Sequence, residues 1–435
     1  MKGLHKFLDE KIAPPFKEGG KLRKFWPMYD ALETFAFVPG HTTHKGSHLR
    51  DGIDLKRTMF LVIIALIPCL LFGIFNIGHQ FDLIVSDSAR IAWLGEARMA
   101  TWFEKFLYGA PLVLPMVIVS YAVGLGIEIL FGIINGHSIN EGFLVSGMLI
   151  PLVMPVDCPL WMVAVGTAFA VVIGKEVFGG TGMNILNVAL TARAFMFFAY
   201  PTKMSGNNVW FHTGSDTSLG AIAEGKVIDT FTGATPLGIL QSPSDKALEL
   251  LSTNSSAAIE FVTANTAGGY SFDLWNSFMG FIPGSIGSTS VLMCLIGAAI
   301  LIATGIGSWR IMAWAVVGGA LMGGFFNYLG TLEAFADNLY LDIPWYHQLC
   351  LGGFAFGVVF MATDPVSAAQ TTKGKMWYGL LIGILAILIR TANPAYPEGI
   401  MLAILFMNVM APTIDHYVIE GNIKKRMKRA KLAVA

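Results

Sequence analysis

Three carboxylates stand in or beside apolar runs, where an ionisable side chain is costly and is by default a functional candidate. Glu128 lies within "AVGLGIEILFGI", Asp364 follows "GGFAFGVVFMAT", and Asp415 lies near the end of a run in "VMAPTIDHYVIE". Such groups carry cations, or else they cap a helix or bond backbone at the membrane edge. Asp364 precedes Pro365, so a helix-start cap competes with an ion-path role. An interfacial position competes in the same way for Asp415. Glu128 is deeper, and it faces Gly124 and Gly126, which leave room for a ligand or a closely packed helix.

A second group is "GKEVFGGTGMNILN". Gly179, Gly180, Thr181 and Gly182 give a flexible turn that feeds a helix start at Asn184. Exposed amides at such a start can hold an anion or the carbonyls of a polar ring. Asn184 and Asn187 are three apart, which places them on one face of that helix. Their side-chain amides offer both donors and acceptors, as recognition of a heteroaromatic ring requires. The alternative is a re-entrant loop whose asparagines bond backbone. A third group is the polar stretch "DTFTGAT", Asp229 to Thr235, far from any apolar run; its plain reading is a glycine-containing turn. The four cysteines form no CxxC and no Cys/His cluster, so they read as small hydrophobes, and no metal site within this chain is expected.

The elements that must position these groups are set by composition. Of 435 residues, 54% are hydrophobic and 13% charged, against about one quarter charged in a soluble domain. Mean hydropathy is +0.61, and the apolar residues come in long runs, as in an all-α integral membrane protein. Formal net charge is zero, which removes any general attraction to nucleic acid. No signal peptide is visible, so the first span reads as an uncleaved anchor in the lipid bilayer. Ten candidate segments follow: Thr58–Gly78, Ala110–Ile133, Gly142–Pro155, Pro159–Gly174, Asn184–Tyr200, Ser288–Gly305, Ile311–Tyr328, Gln348–Thr363, Trp377–Thr391 and Gly399–His416. "PWYHQLC" reads as an interfacial aromatic belt.

An even number of spans puts both basic termini in the cytoplasm and the 201–287 loop outside. The chain then divides into a cytoplasmic amphipathic segment (1–57) containing Asp30, a first membrane repeat (58–200), the outer loop (201–287), a second repeat (288–418) and a basic tail (419–435). In each half a short segment ends at an acid beside proline, "LVMPVDCP" and "VFMATDPVS". Five spans per half predict inverted repeats with broken half-helices meeting near the midplane.

"DTFTGAT" resembles the flavinylation motif, an aspartate followed by x-x-Ser/Thr-Gly-Ala-Thr, whose last threonine carries FMN through a phosphoester. The resemblance puts Asp229, Thr232, Gly233 and Ala234 in recognition positions and makes Thr235 the acceptor. A hydroxyl can take the phosphoryl group, small neighbours let a transferase approach, and the ring system stays free for redox work. "KEVFGGTGMNILNVALTARAFMFFAYP", "IPGSIGSTS", "GGFAFGVVFMATDPVSA", "NPAYPEGIMLAILF" and the basic tail are similar to the NqrB-type membrane subunits of the Na+-translocating NADH:quinone oxidoreductases. The similarity runs from "LRDGIDLKR" to the C-terminus. Thr232 stands where serine is common in that family, and Leu125 where a second glycine is frequent.

The resemblance implies one membrane subunit of a complex with five other subunits in the bacterial inner membrane. Electrons pass from NADH to a quinone while Na+ is moved outward. It implies FMN on Thr235, attached by a flavin transferase, with the FMN loop periplasmic. It further implies a noncovalent riboflavin near Asn184, Asn187 and Asp364, a quinone region near Gly124 and Glu128, and a sodium path using Glu128, Asp364, Asp415 and Asp30. The chain has no NADH fingerprint, so a partner must oxidise NADH.

Two rival readings share parts of this pattern. The homologous RnfD-type subunit of the ferredoxin:NAD oxidoreductase has the flavin threonine and the repeat, but the long N-terminal arm and the "GGTGMNILN" block favour the quinone reductase. A non-redox channel or permease suits broken inverted repeats, yet gives "DTFTGAT" no use.

Overall fold

A computed structural model describes residues 55–86, 101–135, 142–204, 210, 234–241, 255–264, 270–332, 339–393, 396 and 398–434, with short pieces between 7 and 47. The described residues contain helices and no strand. The main elements are α1 (Leu55–Ser86), α2 (Trp102–Asn135), α3 (Phe143–Leu152), α4 (Leu160–Gly174) and α5 (Val188–Ala199). The second half of the chain supplies α6 (Val291–Ala303), α7 (Trp309–Gly330), α8 (Phe354–Phe356), α9 (Thr372–Ala392) and α10 (Ile400–Val434). The turn of α8 continues as a π-helical turn over Gly357–Met361.

Each of the ten expected segments overlaps one of these helices, though only some of the bounds agree. Six of them are long and apolar enough to cross a membrane: α1, α2, α4 (extended to Phe178), α7, α9 and α10. The apolar helices α3, α5 and α6 are shorter, and α8 with its π turn is shorter still. This is an all-α integral membrane protein. The 35 residues of α10 reach about 50 Å at 1.5 Å per residue. A hydrocarbon core is about 30 Å thick, and the exposed basic end of α10 from Lys424 onward accounts for the excess.

The short helices end for local reasons. Pro151 sits in the last turn of α3 and Pro155 follows it, while Pro159 caps the start of α4. Upstream of α8, Gly352 and Gly353 adopt φ of 63° and 66°, a conformation that side chains resist. Each break exposes carbonyls in an apolar setting, and a fully buried arginine answers each. Arg193 on α5 donates to the Val153 carbonyl just past α3. Arg390 on α9 donates to the carbonyls of Gln348 at 2.6 Å and Leu351 at 3.0 Å. Glu398 joins the two regions, accepting from Arg193 Nη2 at 3.0 and 3.1 Å. The end of α3 is also pinned by Gly287, whose N–H donates to the Leu152 carbonyl at 2.7 Å.

Two sequence expectations change here. The helix expected from Asn184 begins at Val188, with Asn187 as its N-cap: the Asn187 side chain accepts from the Leu190 N–H at 3.2 Å. Asn184 therefore lies in the turn before the helix and not on its face. Of the two glycines beside Glu128, only Gly124 is a close-packing site. A Cβ there would fall 2.0 Å from the Phe143 ring of α3, whereas Gly126 faces open space.

The first prediction is that Arg390→Ala lowers the thermal midpoint of the purified complex. Two buried carbonyls lose their donor at roughly 1–3 kcal/mol each. Arg390→Lys should recover only part, because one ammonium cannot fork to both. The second is that Gly124→Ala destabilises by about 1–3 kcal/mol through overpacking, and that Phe143→Leu in the same chain restores most of the loss. Equal stability of the single and double variants would show that Phe143 is not the obstacle.

Candidate functional site

Two cavities collect the residues that could do chemistry. The larger, about 80 Å³, is bounded by the first turn of α1, the start of α3, the turn before α5 and the end of the π turn. Asn184, Asn187, Asp364, Thr181, Ser146 and Lys175 bring polar groups to its wall; Val145, Leu149, Leu301, Ile306 and Phe360 make it apolar elsewhere. Sequence spacing put Asn184 and Asn187 together, and the fold adds Asp364 from 177 residues away: Asn187 Nδ2 donates to Asp364 Oδ2 at 3.2 Å. Asp364 also accepts from the Val366 N–H at 3.1 Å and Ser367 Oγ at 2.9 Å. It thus caps its own turn and at the same time faces the cavity. Asn184 Nδ2 donates to the Leu186 carbonyl at 2.9 Å, which holds the turn. The amides and the carboxylate shape the backbone while lining a shared space.

Glu128 does not line that cavity. It projects from α2 onto the ammonium of Lys175 at the end of α4, with side-chain exposures of 5% and 3%. Its second oxygen, Oε2, is buried with no hydrogen-bond partner. Gly124, one turn away, is filled by the Phe143 ring. Asp415 is committed elsewhere: it accepts from the backbone of Gln370 at 2.6 Å, and from the N–H and hydroxyl of Thr371 at 3.0 and 2.5 Å, which fixes the start of α9. Asp30 lies in an N-terminal piece, where its carbonyl accepts from the Thr34 hydroxyl at 2.5 Å and Thr34 in turn accepts from Lys56 of α1. Of the four acids, Asp364 alone lines the larger cavity; Glu128, Asp415 and Asp30 do not.

The smaller cavity, about 20 Å³, surrounds Thr235. Asp229, Thr232 and Gly233 lie outside the described residues. Ala234 and Thr235 are 6% and 7% exposed. The Thr235 hydroxyl accepts from the Gly238 N–H at 3.2 Å at the head of the short helix Pro236–Gln241. The buried Tyr270 hydroxyl donates to the Ala234 carbonyl at 2.6 Å, and burial raises that phenol well above its usual pKa, so it remains a donor. Ser285, Ser288, Thr289, Gly352, Gly353 and Glu398 complete the wall. Thr289 Oγ1 is buried and has no hydrogen-bond partner. A cradle of hydroxyls and glycine backbone with an unused donor fits a phosphoryl group on Thr235.

The two cavities sit at opposite ends of the same pair of elements. Ser288 and Thr289 precede α6 at the Thr235 cavity, while Leu301 and Ile306 close the Asn187–Asp364 cavity at its other end. Gly352 and Gly353 precede α8, and Phe360, Thr363 and Asp364 end the π turn. The 13 residues of α6 separate the cavities by about 20 Å at 1.5 Å per residue.

Several of these residues were not legible in the sequence. Lys175 has no assigned role within "GKEVFGGTGMNILN", yet it meets Glu128 across 47 positions. Arg193, Glu398 and Thr289 lie inside family-like stretches that assign them no role, and Arg390 lies outside them; for the three charged residues the one signal was that charge inside an apolar run is costly unless used.

Comparison with known proteins bears on these sites. Residues 42–424 match the model of the NQR2, RnfD, RnfE family. A protein of Chromohalobacter salexigens, named as the B-lettered component of Na(+)-translocating NADH-quinone reductase, is 44% identical over 437 residues, covering 98% of this chain and 97% of its own. Proteins of the same name are 45% identical in Yersinia pestis (99% of this chain, 100% of theirs) and 42% in Pseudomonas aeruginosa (98% and 99%). On a match that spans most of its length, this chain belongs to the NQR2, RnfD, RnfE family.

Proposed function

We propose that this chain is the flavin-bearing membrane subunit of a Na+-translocating NADH:quinone reductase of the bacterial inner membrane, working with partner subunits that oxidise NADH. The reading rests on one observation above others: two polar cavities, one built around Thr235 and one around Asn187 and Asp364, stand at opposite ends of α6 and α8. An electron entering at one end and leaving at the other crosses most of the apolar layer. The relatives' names supply the reaction, and their near-complete coverage favours the quinone reductase over its ferredoxin-linked homologue.

In this reading Thr235 holds FMN through a phosphoester, with one water lost overall. Ser285, Ser288 and Thr289 offer hydroxyls to the phosphate, while Gly352 and Gly353 keep the wall free of side chains. Riboflavin would be held noncovalently at the larger cavity, with Asn184 and Asn187 offering hydrogen bonds and Val145, Leu149 and Phe360 apolar contact. Bound flavins supply one-electron chemistry that no side chain here can provide. Gly124 and Glu128 mark the quinone region on α2, and Glu128, with Asp364, serves the sodium path. Asp415 and Asp30 contribute less directly, since the first holds the head of α9 and the second lies outside both cavities. The halves of the chain act as inverted repeats around these sites.

Intact mass of the subunit, made with its flavin transferase, is expected to exceed the sequence mass by one FMN less water, and Thr235→Val is expected to remove the increment. An increment that survives in Thr235→Val would place the flavin elsewhere. Asn187→Ala is expected to cut noncovalent riboflavin in the purified complex while leaving the covalent FMN intact. Losing a hydrogen bond to a neutral ring weakens binding by about 2- to 10-fold. Full riboflavin content in Asn187→Ala would move riboflavin out of this cavity.

A further inference from the structure

We propose that the Lys175 ammonium is a tethered occupant of a cation site on Glu128, which a sodium ion must displace. For sodium at Glu128 this rests on the function proposed above; the role of Lys175 is what it adds. Three observations carry it. First, both charges are almost fully buried, and a buried ion pair is seldom worth more to stability than a well-packed apolar pair. Second, the pair is incomplete: Glu128 Oε2 is buried and receives no donor among the described residues, so one carboxylate oxygen stays available to a cation. A pair built only for stability would satisfy both oxygens. Third, Lys175 faces two places at once, bonding Glu128 while lining the Asn187–Asp364 cavity that Glu128 does not touch.

The backbone of Lys175 is fixed, because its carbonyl accepts from the N–H groups of Phe178 at 3.2 Å and Gly180 at 3.1 Å. The side chain is free to differ, since four rotatable bonds carry a compact charge over several ångströms. Before negative charge is added to the cavity beyond that of Asp364, the ammonium belongs on Glu128. Negative charge added to the cavity pulls the ammonium inward, because charges in a low-dielectric interior interact strongly. Glu128 is then left uncompensated and takes one Na+ in exchange. One electron in, one ammonium moved and one Na+ bound leaves the region's net charge unchanged. Electron arrival and sodium uptake are thereby two ligands of one two-position element, and each favours the other.

The test is equilibrium binding of 22Na+ to the oxidised complex purified with its partner subunits, with flavin content measured on each sample. Lys175→Met is expected to raise Na+ affinity by at least about tenfold, and adding Glu128→Gln to abolish the gain. Unchanged affinity in Lys175→Met, or a gain that survives Glu128→Gln, overturns the proposal. If Lys175→Met does not assemble, Lys175→Arg is read instead. Its fork can engage both carboxylate oxygens, so affinity should fall by about tenfold, and no change overturns the proposal. Chemical reduction of the wild-type complex should raise its Na+ affinity toward that of Lys175→Met. A gain in Lys175→Met preparations that hold no riboflavin would keep the displacement and reject the flavin reading of the cavity. Unchanged affinity with riboflavin present would do the reverse.

Discussion

Helices broken inside an apolar layer must hide the carbonyls they expose, and this chain meets that demand with two buried arginines. Arg193 holds the end of α3, and Arg390 holds the turn before α8. No water is at hand in such a layer to bond an open carbonyl, so the donor must come from the protein. Glu398 sits between them, bonded through its carboxylate to Arg193 and with its carbonyl 3.5 Å from Arg390 Nη2. With the breaks secured in this way, a short segment can stop midway and present a turn. The smaller cavity is built on the turn that Arg390 secures.

The consequence is a chain in which function lies at interruptions. The long helices α1, α2, α7, α9 and α10 supply walls and anchorage. The short elements supply chemistry: the turn ahead of α5 brings Asn184 and Asn187, the end of the π turn brings Asp364, and the glycines ahead of α8 open the wall beside Thr235. Because α6 and α8 connect the two cavities directly, a change at one end has a short, packed route to the other. Close packing also explains Gly124, whose missing side chain admits the Phe143 ring and so seats α3 against α2.

Charge inside the layer is used sparingly and each instance has a partner. Asp415 is spent on the head of α9 and Asp364 on its own turn and Asn187. Glu128 and Lys175 face each other, but only one of the two carboxylate oxygens is engaged. That asymmetry separates Glu128 from the other acids, because it leaves capacity for a further cation where the rest have committed theirs to backbone and side-chain donors.

Six of the chain's helices are long and apolar enough to cross a membrane, and their bounds depart from the expected segments, but composition and apolar run length alone determined that the chain is helical and membrane-embedded. Those properties depend on transfer from water, which residue type dictates. Local pattern also marked Asn184, Asn187, Asp364 and Glu128, because polar groups in or beside apolar runs are visible without a fold, whereas Thr235 was marked by the resemblance of its stretch to the flavinylation motif. Where the helix after the glycine turn begins was less legible: Asn187 caps it and Asn184 falls short of it, a choice made by one side-chain bond to the Leu190 N–H. The partnerships were decided only by tertiary structure. Asn187 meets Asp364 across 177 positions, Glu128 meets Lys175 across 47, and Arg390 reaches carbonyls about 40 residues back. Each is a pairing between distant elements, set by how helices pack, and no spacing along the chain encodes which buried charge will face which.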